Sequence, residues 1–161
     1  MGRINIESSK GKVTDIKGNI DSKKTELNDL EQRKQDIMDA HADIDSANMD
    51  ERAQKAVIDA LAQVRQEISE KGQELSKELQ SDASMLEDMA QEVDDSKADT
   101  EAERGKLEQK KALLDKFGLG ASLESGISEM NDSLAQLEDL RSSITETSQE
   151  VRDLQTQLGN L

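Results

Sequence analysis

The stretch "KFGLGASLESG", residues 116–126, interrupts a chain that otherwise has the composition of continuous helix. It contains the only Phe of the sequence and three of its nine Gly. Because Gly adopts positive φ without steric cost, Gly118 and Gly120 can end one helix before another begins. We therefore predict a tight helix–turn–helix reversal, with Phe117 and Leu119 folded over its end as an apolar plug.

The composition on both sides of this turn favours long helices over a compact core. The 161 residues include no Pro, and hydrophobic residues (33%) are outnumbered by charged ones (35%). Without Pro, nothing forces an interruption of the helical hydrogen-bond ladder. With one aromatic residue, burial is expected along narrow seams. The predicted fold class is all-α, with three or four long amphipathic helices in antiparallel hairpins with coiled-coil packing.

The first helix is predicted over about residues 7–47. Its apolar residues recur at steps of three and four, which is typical of a coiled-coil seam. Lys23, Lys34 and His41 occupy the polar sites of this ladder, where the two lysines either extend towards solvent or meet acidic residues of a partner helix. The apolar sites are Val13, Ile16, Ile20, Leu27, Leu30, Ile37 and Ile44.

The last helix, predicted over about residues 121–159, has a wider apolar stripe. Leu140 and Leu154 lie beside its ladder, so this helix is expected to touch two neighbouring helices or a partner protein. The ladder itself consists of Leu123, Ile127, Met130, Leu134, Leu137, Ile144, Val151 and Leu158.

The middle stretch, about residues 51–117, begins with a regular ladder and then loses it. Residues 94–106, "DDSKADTEAERGK", include no large apolar side chain, and beyond them the ladder thins to Leu107 and Leu114. Two alternatives remain open: a hinge near 94–106, or one long helix whose seam is completed by a partner. Either way, we predict a single elongated helical domain over residues 1–161.

The charge and hydropathy patterns exclude several partners. The formal net charge of −15 opposes nucleic-acid phosphates and anionic lipids, so neither nucleic acid nor a membrane surface is an expected partner. No run of about eighteen apolar residues is present, and the first residues lack the apolar region of a signal peptide. We expect a soluble, cytoplasmic protein.

No pattern in the sequence predicts catalysis. Cys is absent, and neither a phosphate-binding Gly loop nor a Ser–His pair occurs in a usable context. His41 and Asp45 lie one helical turn apart, but two ligands do not make a metal site. We therefore expect no enzyme activity, no cofactor and no metal.

Protein helices are the expected partners instead. The bare face near residue 107, the turn and the wide last helix suggest a partner-binding surface. Its predicted residues are Leu107, Leu114, Phe117, Leu119, Leu140 and Leu154.

The chain resembles the WXG-type and LXG-type helical proteins of bacterial type VII secretion, and their accessory partners. The resemblance rests on "INIES" (residues 4–8) leading into a polar helix, on the turn with an aromatic residue and Gly, and on the helix "LESGISEMNDSLAQLEDLRSSITETSQEVRDLQTQL" (residues 123–158). Phe117-Gly118-Leu119 stands where that family has a Trp-Xaa-Gly turn. The resemblance implies an adaptor or chaperone-like partner that binds the helical region of a larger secreted effector and remains cytoplasmic or is exported with it.

The alternative function is a self-associating coiled-coil scaffold, in which the wide last helix closes a homo-oligomer. The bare seam over 94–114 favours the hetero-complex, because a self-sufficient structure has little reason to leave a helix face without large apolar residues.

Overall fold

The structure, a computed structural model, describes residues 5–46 and 50–161, without the side chains of residues 45 and 46. It consists of three long helices: α1 (Ile6–Ser46), α2 (Glu51–Asp115) and α3 (Glu124–Gly159). A 3-10 turn, Gly120–Leu123, precedes α3, and no strand occurs in the part of the chain described. The all-α prediction is confirmed.

Side-chain caps fix the starts of the first two helices. The Asn5 Oδ1 atom accepts a hydrogen bond of 3.1 Å from the Ser8 backbone N–H at the start of α1. Asp50 Oδ1 does the same for Ala53 N–H, at 2.8 Å, at the start of α2. Each cap satisfies a backbone donor that the helix leaves without a partner.

The middle stretch forms one helix. α2 runs for 65 residues without a break and includes all of 94–106, so of the two alternatives the long helix is the one observed. Two buried small residues, Ser96 and Thr100, occupy the seam where large apolar side chains are missing. The Thr100 hydroxyl donates to the Ser96 carbonyl at 2.8 Å, which satisfies it within the helix.

The residues group into two compact units, each containing part of all three helices. Unit 1 comprises the described residues up to Ile16 together with Ser84–Gln149. Unit 2 comprises Lys17–Ala83 and Glu150–Leu161. The sequence predicted a single domain.

The core of unit 1 contains mainly residues of the predicted ladders, which supports the heptad analysis. Its buried apolar residues are Val13, Ile16, Leu86, Met89, Val93, Leu134, Leu137, Leu140 and Ile144.

The core of unit 2 also contains mainly residues of the predicted ladders. All apolar sites of the α1 ladder from Ile20 to Ile44 are buried in it. The full set is Ile20, Leu27, Leu30, Ile37, Ile44, Ile68, Leu75, Leu79, Val151 and Leu154.

Candidate protein-binding site

A Schellman turn ends α2. Leu119 N–H donates to the Leu114 carbonyl at 2.9 Å, and Gly118 N–H donates to the Asp115 carbonyl at 3.1 Å. Gly118 has φ of 69°, the left-handed conformation that this motif requires. The predicted reversal therefore occurs as expected, with Gly118 as its left-handed residue.

Gly120 has a different role from the one predicted. It is not among the described residues with positive φ, and it is buried. A Cβ atom on Gly120 would lie 1.6 Å from Asp115 Oδ1 and 3.1 Å from the Lys111 carbonyl oxygen. Gly is needed at position 120 because residues at the end of α2 lie very close to its backbone.

Lys111 joins the end of α2 to the start of α3. Its Nζ atom lies 3.2 Å from Asp115 Oδ2 and 3.7 Å from Glu124 Oε1. The hydrogen bond to Asp115, and then the charges of both carboxylates, raise the pKa of Lys111 above its usual 10.5. Burial opposes this shift, but the carboxylates prevail. The turn is thus held by a charge cluster, as well as by its backbone.

The apolar residues of the turn point to solvent. Phe117 is 78% exposed, Leu119 61% and Leu113 60%. The expectation that Phe117 and Leu119 cover the hairpin end is therefore wrong, because the Schellman turn directs both away from the packed interface. Six large apolar residues are exposed in the part of the chain described, and three of them lie within residues 113–119. We call Leu113, Phe117 and Leu119 the turn patch.

Exposed residues of both charges lie near the turn patch in the sequence, and Glu108, Asp115 and Glu124 are the acidic ones. Lys106, Lys110 and Lys116 are exposed, within eleven positions of an otherwise strongly acidic chain. These three lysines are the groups that can pair with acidic residues beside the apolar contacts of a partner.

Leu107 and Leu114, predicted to bind a partner, are half-buried against the chain itself. Leu107 Cδ1 lies 3.4 Å from the position that a Cβ atom would take on Gly126 of α3. Gly126 of α3 thus lies close to Leu107 of α2. In this structure α3 covers part of the face near Leu107.

Leu140 and Leu154 are buried in their own units, with 1% and 4% exposure. Neither is accessible to a partner in this conformation, which corrects their assignment to a binding surface. Leu154 belongs to unit 2, where the last residues of the chain contact both other helices. Leu158 lies beside Gly72 of α2, and the Leu161 carbonyl accepts a hydrogen bond from Lys34 of α1.

Polar contacts between α2 and α3 in unit 1 were missed in the sequence. Lys97 Nζ lies 3.3 Å from Glu138 Oε1, and Arg104 donates to Asn131 Oδ1 at 2.9 Å. A third contact joins Arg141 to Asp94 at 3.1 Å. In each pair the two residue numbers sum to 235, so the helices run antiparallel in constant register. The signal available in the sequence was the position of the turn, because the midpoint of all three pairs lies between Phe117 and Gly118.

The structure adds no chemical site to this surface. Within residues 5–46 and 50–161 no group of three His, Cys, Asp or Glu is placed to hold a metal ion. His41 is half-buried, and the Asp45 side chain lies outside the description. The helices described include no segment long and apolar enough to span a membrane.

Comparison with known proteins finds no match: no protein-family model fits the chain, and no curated protein or solved structure is similar to it.

Proposed function

We propose that this protein is a non-catalytic, helical interaction protein that binds another protein through the turn patch. The observation that carries the proposal is the exposure of Leu113, Phe117 and Leu119 at the tight turn after α2. Exposed apolar groups gathered in one place are typical of contact surfaces, and aromatic anchors contribute much of the energy of such contacts. The ordered Schellman turn supports the proposal, since an anchor on a rigid backbone loses little entropy on binding.

The partner that this surface fits is a helix with apolar residues flanked by acidic ones. The residues of the turn patch would contact the apolar side of that helix. The lysines at positions 106, 110 and 116 would pair with its carboxylates. Our preferred version is an adaptor or chaperone-like role for the helical region of a secreted effector in a type VII-like system. What supports that version is the resemblance of residues 4–8 and 123–158 to such helical proteins.

Site-specific photocrosslinking tests this proposal. A benzoylphenylalanine replaces Phe117 in the full-length chain, in the native cells, and the crosslinked peptides are mapped by mass spectrometry. The matched control carries the same group at Gln136, an exposed position of α3 in the same unit. We expect position 117, but not position 136, to crosslink to one defined helical segment of another protein.

The identity of the adduct separates the versions of the proposal. A helical segment of a secreted effector supports the adaptor role. An adduct between two copies of this chain supports the self-associating scaffold. Equal crosslinking from both positions contradicts a specific surface at the turn.

A further inference from the structure

An apolar groove with a volume of about 610 Å³ lies in unit 2, between α1, α2 and the end of α3. Ile37 and Ile68, which are 4% and 7% exposed, belong to its lining. Leu158 and Leu161 line it from the α3 side. Met38 also lines the groove and is 56% exposed, so a flexible side chain lies at the surface.

Among the residues that the structure describes, those that line this groove include basic side chains but no acidic ones, which is unusual for this acidic chain. Lys34 and Arg65 line it, and no acidic residue does so in the part of the chain described. Because 36 of the 161 residues are Asp or Glu, a set of thirteen lining residues would on average include about three. A second groove in the same unit shows the usual balance, with four acidic residues among its lining: Glu26, Asp29, Glu74 and Glu78.

The two cations can still accept an anion. Lys34 donates one hydrogen bond to the Leu161 carbonyl, and an ammonium group has three donors. The helical neighbours of Arg65 at three and four positions are Leu61, Ala62, Ile68 and Ser69, so no carboxylate on its own helix lies one turn away. Arg65 therefore has no carboxylate one turn away on its own helix, and Lys34 keeps two donors beyond its bond to the Leu161 oxygen, both at the edge of an apolar surface.

We propose that this groove binds a small anionic amphiphile, a long-chain carboxylate, with its alkyl chain on Ile37 and Ile68 and its head group between Lys34 and Arg65. The volume lies within the range of about 300–1,000 Å³ that is typical of small-molecule sites. A protein partner generally needs about 800 Å² of contact on each side. The confined groove and its two cations therefore favour the amphiphile over a polypeptide.

The test is fluorescence titration of the full-length chain with a dansyl-labelled undecanoate, below its micelle concentration. Because the chain has no Trp and no Tyr, the dansyl signal has no protein background. We expect saturable binding of one probe per chain with a blue shift, and displacement by dodecanoate but not by dodecyltrimethylammonium. Arg65→Glu is expected to weaken binding at least about tenfold, because it places a carboxylate beside the head group.

Three further variants distinguish binding in the groove from nonspecific binding to the protein. Lys71→Glu makes the same charge reversal on α2, but beside the second groove, and should leave the affinity unchanged. Ser69→Phe places a ring in the first groove and should abolish binding, whereas Ser81→Phe, at another exposed position of α2, should not. Circular dichroism checks that every variant keeps its helix content.

Equal loss of binding in Arg65→Glu and Lys71→Glu would overturn the proposal, as would equal displacement by the cationic and anionic amphiphiles. Binding of an acidic helical peptide without binding of dodecanoate would also overturn the proposal, because the occupant of the groove would then be a polypeptide. None of these results bears on the turn patch, which lies in unit 1, so the two proposals stand or fall separately.

Discussion

Lys23 of α1 forms an ion pair with Asp82 of α2 inside unit 2, where less than a tenth of either residue is exposed. Lys23 is a polar site of the heptad ladder, and its carboxylate partner belongs to the same chain. A buried charge pair between two helices disfavours every register in which either charge lacks its partner. The pair therefore fixes the alignment of α1 against α2 in this unit.

Removing one partner of this pair should lower the free energy of unfolding far more than removing both partners. Lys23→Met leaves the Asp82 carboxylate buried without a counterion, and we expect a loss of about 3–5 kcal/mol in the free energy of unfolding. The double variant Lys23→Met, Asp82→Leu should recover most of that loss, because no charge remains buried. Urea unfolding followed by circular dichroism measures both. Lys24→Met, at an exposed position, should change stability by less than about 0.5 kcal/mol.

Three glycines should respond differently to replacement by Ala. Gly118→Ala forces a side chain into the left-handed region and should cost about 1–2 kcal/mol. Gly120→Ala should lower the stability more than the same substitution at a helical Gly of this chain, because the new Cβ atom displaces the Asp115 carboxylate from Lys111. Gly105→Ala, within α2 and with open space around it, should stabilise the chain by up to about 1 kcal/mol. Thermal unfolding of the three variants gives the order, and equal effects would contradict it.

The heptad pattern carries most of the information about this fold. From Val13 to Ile44 the apolar ladder predicts which side of α1 is buried, and every one of its apolar residues is. This works because a helix seam depends on the spacing of large apolar side chains, which is visible in a single sequence. The same reasoning missed the seam near Ser96 and Thr100, where small residues are buried and polar contacts join the helices.

The exposed surface that we propose for partner binding was less predictable, because exposure depends on how the turn is built. Phe117 and Leu119 were predicted to bind a partner because they are apolar residues at the turn, and they are the two most exposed of the six residues predicted. Leu140 was predicted because it widens the apolar stripe of the last helix, and it is buried in the core of unit 1. Which apolar residues remain outside follows from tertiary packing, and periodicity cannot decide it.

Acidic substitutions should distinguish the internal seam from the turn patch. Leu107→Glu with Leu114→Glu places two charges against α3, and we expect a lower unfolding temperature with loss of helix content in unit 1. Phe117→Glu with Leu119→Glu changes two exposed residues, and should alter the free energy of unfolding by less than about 1 kcal/mol in total.

Partner binding should show the opposite order of effects. With the benzoylphenylalanine placed at position 113 of the turn patch instead of 117, the exposed pair of substitutions should abolish the crosslinked adduct while leaving the helix content of the protein intact. If instead the Leu107 and Leu114 variant kept full stability and lost its partner, these residues would belong to a docking surface after all.

The charge cluster at the turn should give a measurable pH dependence above neutral pH. The pKa of Lys111 is raised by its hydrogen bond to Asp115 and by the charges of Asp115 and Glu124, so the protonated amine is favoured in the folded state. A raised pKa means that the stabilisation is fully present below pH 10.5 and is lost as the pH rises through the higher folded value. The variant Asp115→Asn removes the main cause and should lower the pKa of Lys111 towards its usual value.

An NMR titration of the Lys111 side-chain amine in both proteins measures this shift directly. We expect the midpoint to be higher in the natural chain than in Asp115→Asn, and the stability difference between the two proteins to shrink above pH 10.5. The control Asp139→Asn, on the exposed face of α3, should leave the Lys111 midpoint unchanged. Identical midpoints in the natural chain and in Asp115→Asn would show that Asp115 does not bind the Lys111 ammonium group in solution. The charge cluster would then not contribute to the rigidity of the turn.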